Sequence, residues 1–192
     1  MDKLINWITV RVCDGEDFDD DKIAVVKYGI ELMLIKIIFF GVCLAIGAFM
    51  GMFFECVVYL VLFAILRTNA GGYHADTRIR CFIQSMLTMI VAMLVLMYVN
   101  TVTMIVLSVT AFLSGIVIIL LAPVDSENKR LEKDEIVKFK TRSIVILIAE
   151  VIFALIMLYF KIYVLSSAAM LAITMSGILL AAGHKKVTLH NN

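Results

Sequence analysis

Four apolar runs, at about residues 82–99, 101–122, 143–160 and 162–183, each match the ~20 residues that a helix needs to cross the hydrocarbon core of a bilayer. A fifth apolar region, at about residues 32–66, is too long for one span. Glu55, with Gly47 and Gly51 nearby, predicts that it folds as a hairpin of two helices, one of about 18 to 20 residues and one short. Of the 192 residues, 62% are hydrophobic and one is proline, well above the roughly 45–50% apolar content of soluble domains. Mean hydropathy is +1.02. The expected fold is therefore all-α: a polytopic membrane helix bundle of about six transmembrane helices, with residues 1–192 as a single membrane-embedded domain. No internal repeat or second soluble domain is visible, and no nucleic-acid partner is expected.

Lysine and arginine collect in short cytoplasmic loops, which orients such a bundle. All 17 basic residues except Lys36 and Lys161 fall in residues 1–30, 67–81, 123–142 or the C-terminal tail. Six spans with both termini cytoplasmic place these four segments on one side. The connection at Asn100–Thr101 has no basic residue, as expected of an external turn. The chain opens Met1-Asp2-Lys3-Leu4 and soon turns acidic, so no cleavable signal peptide is predicted and the first span is expected to direct insertion. The expected location is the cell membrane, multi-pass, in contact with its lipids.

Residues 3–12 gather Leu4, Ile5, Trp7, Ile8 and Val12 near one face, which predicts an N-terminal amphipathic helix lying in the interface. The acidic run from Asp14 to Asp21 briefly imitates a calcium loop. Lys22 stands where the required glycine would be and Tyr28 where the terminal glutamate would be, so it is expected to be a solvated segment before a helix starting near Lys22. Pro123 ends the preceding span, and the basic segment 123–142 can anchor on anionic lipid or hold an acidic peptide. Lys36 is expected to snorkel. Glu150, mid-span, should face protein, against a partner or a polar cavity. Cys13, Cys43, Cys56 and Cys81 lack paired spacing, so no disulfide framework or metal site is expected; Cys43 and Cys56 fit as small packing residues.

The segment that carries chemistry is the polar island Arg67-Thr-Asn-Ala-Gly-Gly-Tyr-His74-Ala-Asp-Thr-Arg-Ile-Arg-Cys81. A histidine and a cysteine are the base and nucleophile of a thiol protease or acyl-transfer enzyme. On a continuous helix, residues seven apart sit two turns, about 10 Å, from one another, too far for the activating hydrogen bond. The chain between His74 and Cys81 must bend back, and Gly71 and Gly72 permit the turn. Cys81 is expected to open the next helix, where N-terminal amides and the nearby Arg78 and Arg80 favour the thiolate. Gln84, one turn on, is a candidate oxyanion donor. Asp76 and Asp125 are candidates to orient the histidine. A membrane peptide exporter without proteolytic activity and a structural scaffold remain alternatives on these residues alone.

Arg67, the run Ala70-Gly71-Gly72-Tyr73-His74-Ala75, Cys81, and then Ala122-Pro123-Val124-Asp125 and Asn128-Lys129 resemble the accessory gene regulator protein B (AgrB) family of membrane peptidases. The likeness extends to length and topology over nearly the whole chain. It implies a cysteine endopeptidase with Cys81 as nucleophile and His74 as base, and with Arg67 and Gly72 at positions needed for activity. Arg67 could anchor the span or orient a substrate carboxylate. The implied substrate is an AgrD-type pro-peptide, cleaved through a thioester and cyclised to a thiolactone or lactone for quorum sensing. The resemblance implies no cofactor and suggests a homodimer.

Overall fold

A computed structural model describes residues 2–13, 19–73, 77–124 and 133–190. Among the described residues there are seven helices: α1 (Asp2–Cys13), α2 (Asp20–Phe49), α3 (Phe53–Ala70), α4 (Arg78–Met97), α5 (Thr101–Leu121), α6 (Lys133–Tyr159) and α7 (Tyr163–His190). Six of them, α2 to α7, are long and apolar enough to cross a membrane. The chain is thus an all-helical polytopic bundle with an additional N-terminal helix, as the hydropathy pattern predicts.

Two boundaries differ from expectation. Neither arm of the first hairpin is short, because α2 has 30 residues and α3 has 18. The start of α2 at Asp20 agrees with the helix expected to begin near Lys22, well before the apolar run. The segment 123–142 is likewise not all loop: α6 starts at Lys133, with Asp134 and Glu135 in its first turn, where carboxylates complement the helix dipole.

The chain divides into two units, Met1–Ala45 and Ile46–Asn192. In the first, α1 buries Ile5 and Thr9 and exposes Leu4, Trp7 and Val12. The Thr9 hydroxyl donates to the Ile5 carbonyl at 2.7 Å, and the Arg11 guanidinium lies 5.2 Å from the Trp7 ring centroid.

In the second unit α7 is the central helix and packs against α3, α4, α5 and α6. Its sequence Ser166-Ser-Ala-Ala169 and Gly177 provides the small residues that let helices approach closely in lipid. A Cβ on Gly177 would lie 2.9 Å from the Ser114 Cα on α5. Around that contact Ser114 donates to the Thr174 carbonyl at 3.3 Å, and the Thr110 and Thr174 hydroxyls are 3.2 Å apart. Against α6, Ser166 donates to the Ala154 carbonyl at 2.9 Å. Glu150 is 2% exposed and so faces protein; neither carboxylate oxygen has a hydrogen-bond partner among the described residues.

The inter-helix turns have local causes. At the end of α2 the Met52 amide donates to the Gly47 carbonyl and the Gly51 amide to the Ala48 carbonyl, with Gly51 at φ 70°. The same pattern closes α6, with Ile162 bonded to Met157 and Lys161 to Leu158. This is the Schellman arrangement, and in the second case Lys161 occupies the left-handed position at φ 61°. α5 is capped by Asn100, whose side chain accepts from the Thr103 amide at 2.9 Å.

Candidate active site

The polar island begins where α3 runs out. Ala70 is the last helical residue, and the Gly71 amide still donates to the Arg67 carbonyl at 3.1 Å. The chain then leaves the helix at Gly71 and Gly72, with φ values of 75° and 131°. Both lie in the region that side chains with a Cβ avoid, so the Gly-Gly pair lets the chain leave the helix here; the bend expected between His74 and Cys81 runs through residues outside the described ones.

Three sets of contacts fix this turn. The Val124 amide donates to the Ala70 carbonyl at 3.1 Å, and Gly71 and Val124 pair as an isolated parallel bridge. Val124, just after Pro123, therefore lies directly against the loop. On another side the Tyr73 amide donates to the Leu179 carbonyl of α7 at 2.8 Å. Finally Arg67, half-buried one turn before the end of α3, donates from Nη1 to the Gly71 carbonyl and from Nη2 to the Tyr73 carbonyl. A Cβ on Gly72 would collide with the Arg67 guanidinium. The observed task of Arg67 is to clamp the loop's own carbonyls. Neither the simple anchoring role nor the substrate-carboxylate role predicted that geometry.

Beneath the turn is an apolar cluster of Leu66, Ala70, Ile118, Ala122, Val124, Leu147, Ile173 and Leu180. It joins α3, α5, α6 and α7, so four helices hold the base of the loop in place.

α4 follows. Thr77 caps it, accepting from the Arg80 amide at 3.3 Å, and the Cys81 amide donates to the Thr77 carbonyl at 3.0 Å. Cys81 is thus in the opening turns of α4, as expected, although Thr77 and not Cys81 makes the cap. Cys81 is a half-buried free thiol within electrostatic reach of the Arg67 guanidinium. Gln84 is one turn farther along the helix and half-buried. His74, Asp76, Asp125, Asn128 and Lys129 lie outside the described residues, as does the side chain of Arg78. His74 directly follows Tyr73, whose amide and carbonyl are both anchored.

The residues that sequence reasoning did not single out for the loop are Leu179, Gly183 and Lys186 of α7. Leu179 acts through its backbone, which leaves no trace in sequence. Gly183 inside an apolar helix is a readable signal, because a mid-helix glycine disfavours the helix and needs a reason.

The fold and the loop define a class: a polytopic helical membrane protein in which an anchored turn at the end of one helix precedes, in the chain, a helix bearing a thiol near its start. The model of the family described as accessory gene regulator B matches residues 1–180, and the chain belongs to that family. AgrB-like protein 1 of Clostridium perfringens is 22% identical over 97% of this chain and 98% of its own length. An AgrB-like protein of Listeria monocytogenes is 29% identical over 61% of this chain and 57% of its own. For an AgrB-like protein of Clostridium acetobutylicum the figures are 26% identity, 45% of this chain and 42% of the relative. No solved structure matches the chain. Family membership supports involvement in the accessory gene regulator quorum-sensing system, and the six apolar helices fit a multi-pass membrane protein.

Proposed function

We propose that this protein is a membrane cysteine endopeptidase that removes the C-terminal tail of an AgrD-type pro-peptide at the cytoplasmic face. His74 takes the proton of Cys81, and the thiolate attacks the scissile carbonyl. The C–N bond then breaks, the released amine takes the proton from His74, and the tail departs, leaving the peptide acyl group on Sγ as a thioester. An internal cysteine or serine of the peptide attacks that thioester and closes a thiolactone or lactone, which regenerates the Cys81 thiol. Exclusion of water at a membrane-edge site favours this exchange over hydrolysis.

The observation that carries the reading is the anchored loop. Arg67, Val124 and Leu179 hold Gly71 to Tyr73 on three sides, immediately before His74 and four residues before the cap of the helix that bears Cys81. A loop joining two spans has no need of such bracing for connection alone. Precise placement of a base and a nucleophile does need it, because misplacement by about 1 Å can cost 10²-fold in rate. The positive-inside distribution of lysine and arginine supports the cytoplasmic orientation.

The test is mass spectrometry of a co-expressed pro-peptide with wild-type, His74→Ala and Cys81→Ala protein. Wild type should release the tail. Cys81→Ala should release none, and His74→Ala should be slower by about 10²- to 10⁴-fold, the usual contribution of a general base. Equal release in all three sinks the assignment. A second reading, a peptide exporter, draws on the buried carboxylate of Glu150, which has no hydrogen-bond partner among the described residues, since ionisable groups inside spans commonly mark transport routes. The same experiment separates the two, because an exporter keeps its function without Cys81.

A further inference from the structure

The island's geometry depends on a helix more than a hundred residues away in sequence. Leu179, Gly183 and Lys186 are spaced by four and three residues, so they lie on one stripe of α7. Each meets the loop differently. The Leu179 carbonyl accepts from the Tyr73 amide at 2.8 Å. Lys186 places Nζ 5.6 Å from the centroid of the Tyr73 ring. Between them Gly183 is buried, and a Cβ there would strike the Gly72 carbonyl carbon and the Tyr73 amide nitrogen and come within 2.8 Å of the Gly72 Cα. These are backbone atoms, so no side chain can rotate away. The loop's main chain lies directly on the bare surface of α7.

The helices on either side of the loop, α3 and α4, also pack on α7. α7 is therefore the common frame for the arm that carries Arg67, the turn, and the helix that carries Cys81. The family match ends at residue 180, before Gly183 and Lys186, so the match itself does not mark them.

We propose that Gly183 is a positioning residue for the His74/Cys81 reaction: its missing side chain is the seat on which Gly72 and Tyr73 rest, and the stripe Leu179–Gly183–Lys186 fixes Tyr73, the residue that directly precedes His74. The proposal rests on the peptidase reading for its catalytic consequence but not for the seat itself. Alanine at 183 favours helix over glycine, so its damage falls on the loop and not on α7. The loop must lift, the Tyr73–Leu179 hydrogen bond lengthens, and the chain leading to His74 shifts.

The experiment uses the full-length protein in detergent micelles, with hydrogen-exchange mass spectrometry and tail-release kinetics run in parallel on wild type, Gly183→Ala, Gly177→Ala and Gly41→Ala. In Gly183→Ala, exchange in the peptide spanning residues 70–76 should rise about 10-fold, with peptides of α5 unchanged. Its kcat for tail release should fall about 10- to 100-fold while KM stays within about 2-fold. Gly177→Ala, a comparable clash against Ser114, should loosen α5 and α7 without singling out the loop. Gly41, with open space around it, should tolerate alanine. Wild-type loop exchange in Gly183→Ala overturns the seat, and raised exchange with unchanged kcat overturns the positioning role. If Gly183→Ala does not fold, Lys186→Gln removes the cation over Tyr73 without a clash; it should raise loop exchange about 2-fold, and no change there also overturns the seat. If wild type itself releases no tail, the peptidase reading fails, and exchange still decides the seat.

Discussion

α5 and α7 are both membrane-length helices, yet they have opposite relations to the bundle. α5 is the more apolar: an 18-residue stretch of it has a mean hydropathy of 2.8 with only 22% of that stretch buried, whereas an equal stretch of α7 has a mean hydropathy of 2.0 with 67% buried. In water the more hydrophobic helix would go inside. In a bilayer the lipid tails are as apolar as leucine, so hydrophobicity does not draw a helix into the bundle, and close packing and inter-helix hydrogen bonds do. α5 carries large side chains such as Phe112 and Leu120, both 70% exposed, which suit lipid. α7 carries Ser166, Ser167, Thr174, Ser176 and Gly177, all buried.

Substitutions can break that contrast in order of severity. Gly177→Ala pushes a methyl group into Ser114 on α5, and its unfolding free energy in micelles should drop by about 1–3 kcal/mol, the usual cost of overpacking. A drop below 0.5 kcal/mol would mean that the α5–α7 crossing is softer than its geometry. Thr174→Val keeps the shape but removes the hydroxyl shared with Thr110; a loss of about 0.6 kcal/mol is expected, the average for a hydrogen bond between membrane helices, measured in the same unfolding assay. Phe112→Leu on the lipid side of α5 should stay within about 0.5 kcal/mol of wild type. A larger loss there would show that this face is covered by a partner.

The island shows a parallel division. Its residues are conspicuous in the sequence because Arg67, Gly71, Gly72, His74 and Cys81 interrupt an otherwise apolar pattern. The need for a bend between His74 and Cys81 follows from the helical rise alone, and the conformational freedom expected of the two glycines is used, since both have positive φ. The direction of the Arg67 side chain was not legible. A basic residue at a helix end satisfies the positive-inside rule wherever it points, and only the folded loop supplies the Gly71 and Tyr73 carbonyls that it grips. The early start of α6 differs from expectation for a simpler reason: its first turn is polar, and hydropathy marks where a helix enters lipid, not where it begins.

By itself the sequence determined that this protein has six helices long and apolar enough to cross a membrane, that a polar island lies between two of them, and that Gly71 and Gly72 leave the chain free to turn there. Those conclusions need only run length, charge placement and helical rise, all of which are local. Only the tertiary structure decided that α7 is the centre of the second unit, that Val124 braces the loop, and that Leu179, Gly183 and Lys186 form its floor. These contacts join residues far apart in the chain through backbone atoms and missing side chains, and neither is written in the pattern of apolar and polar residues.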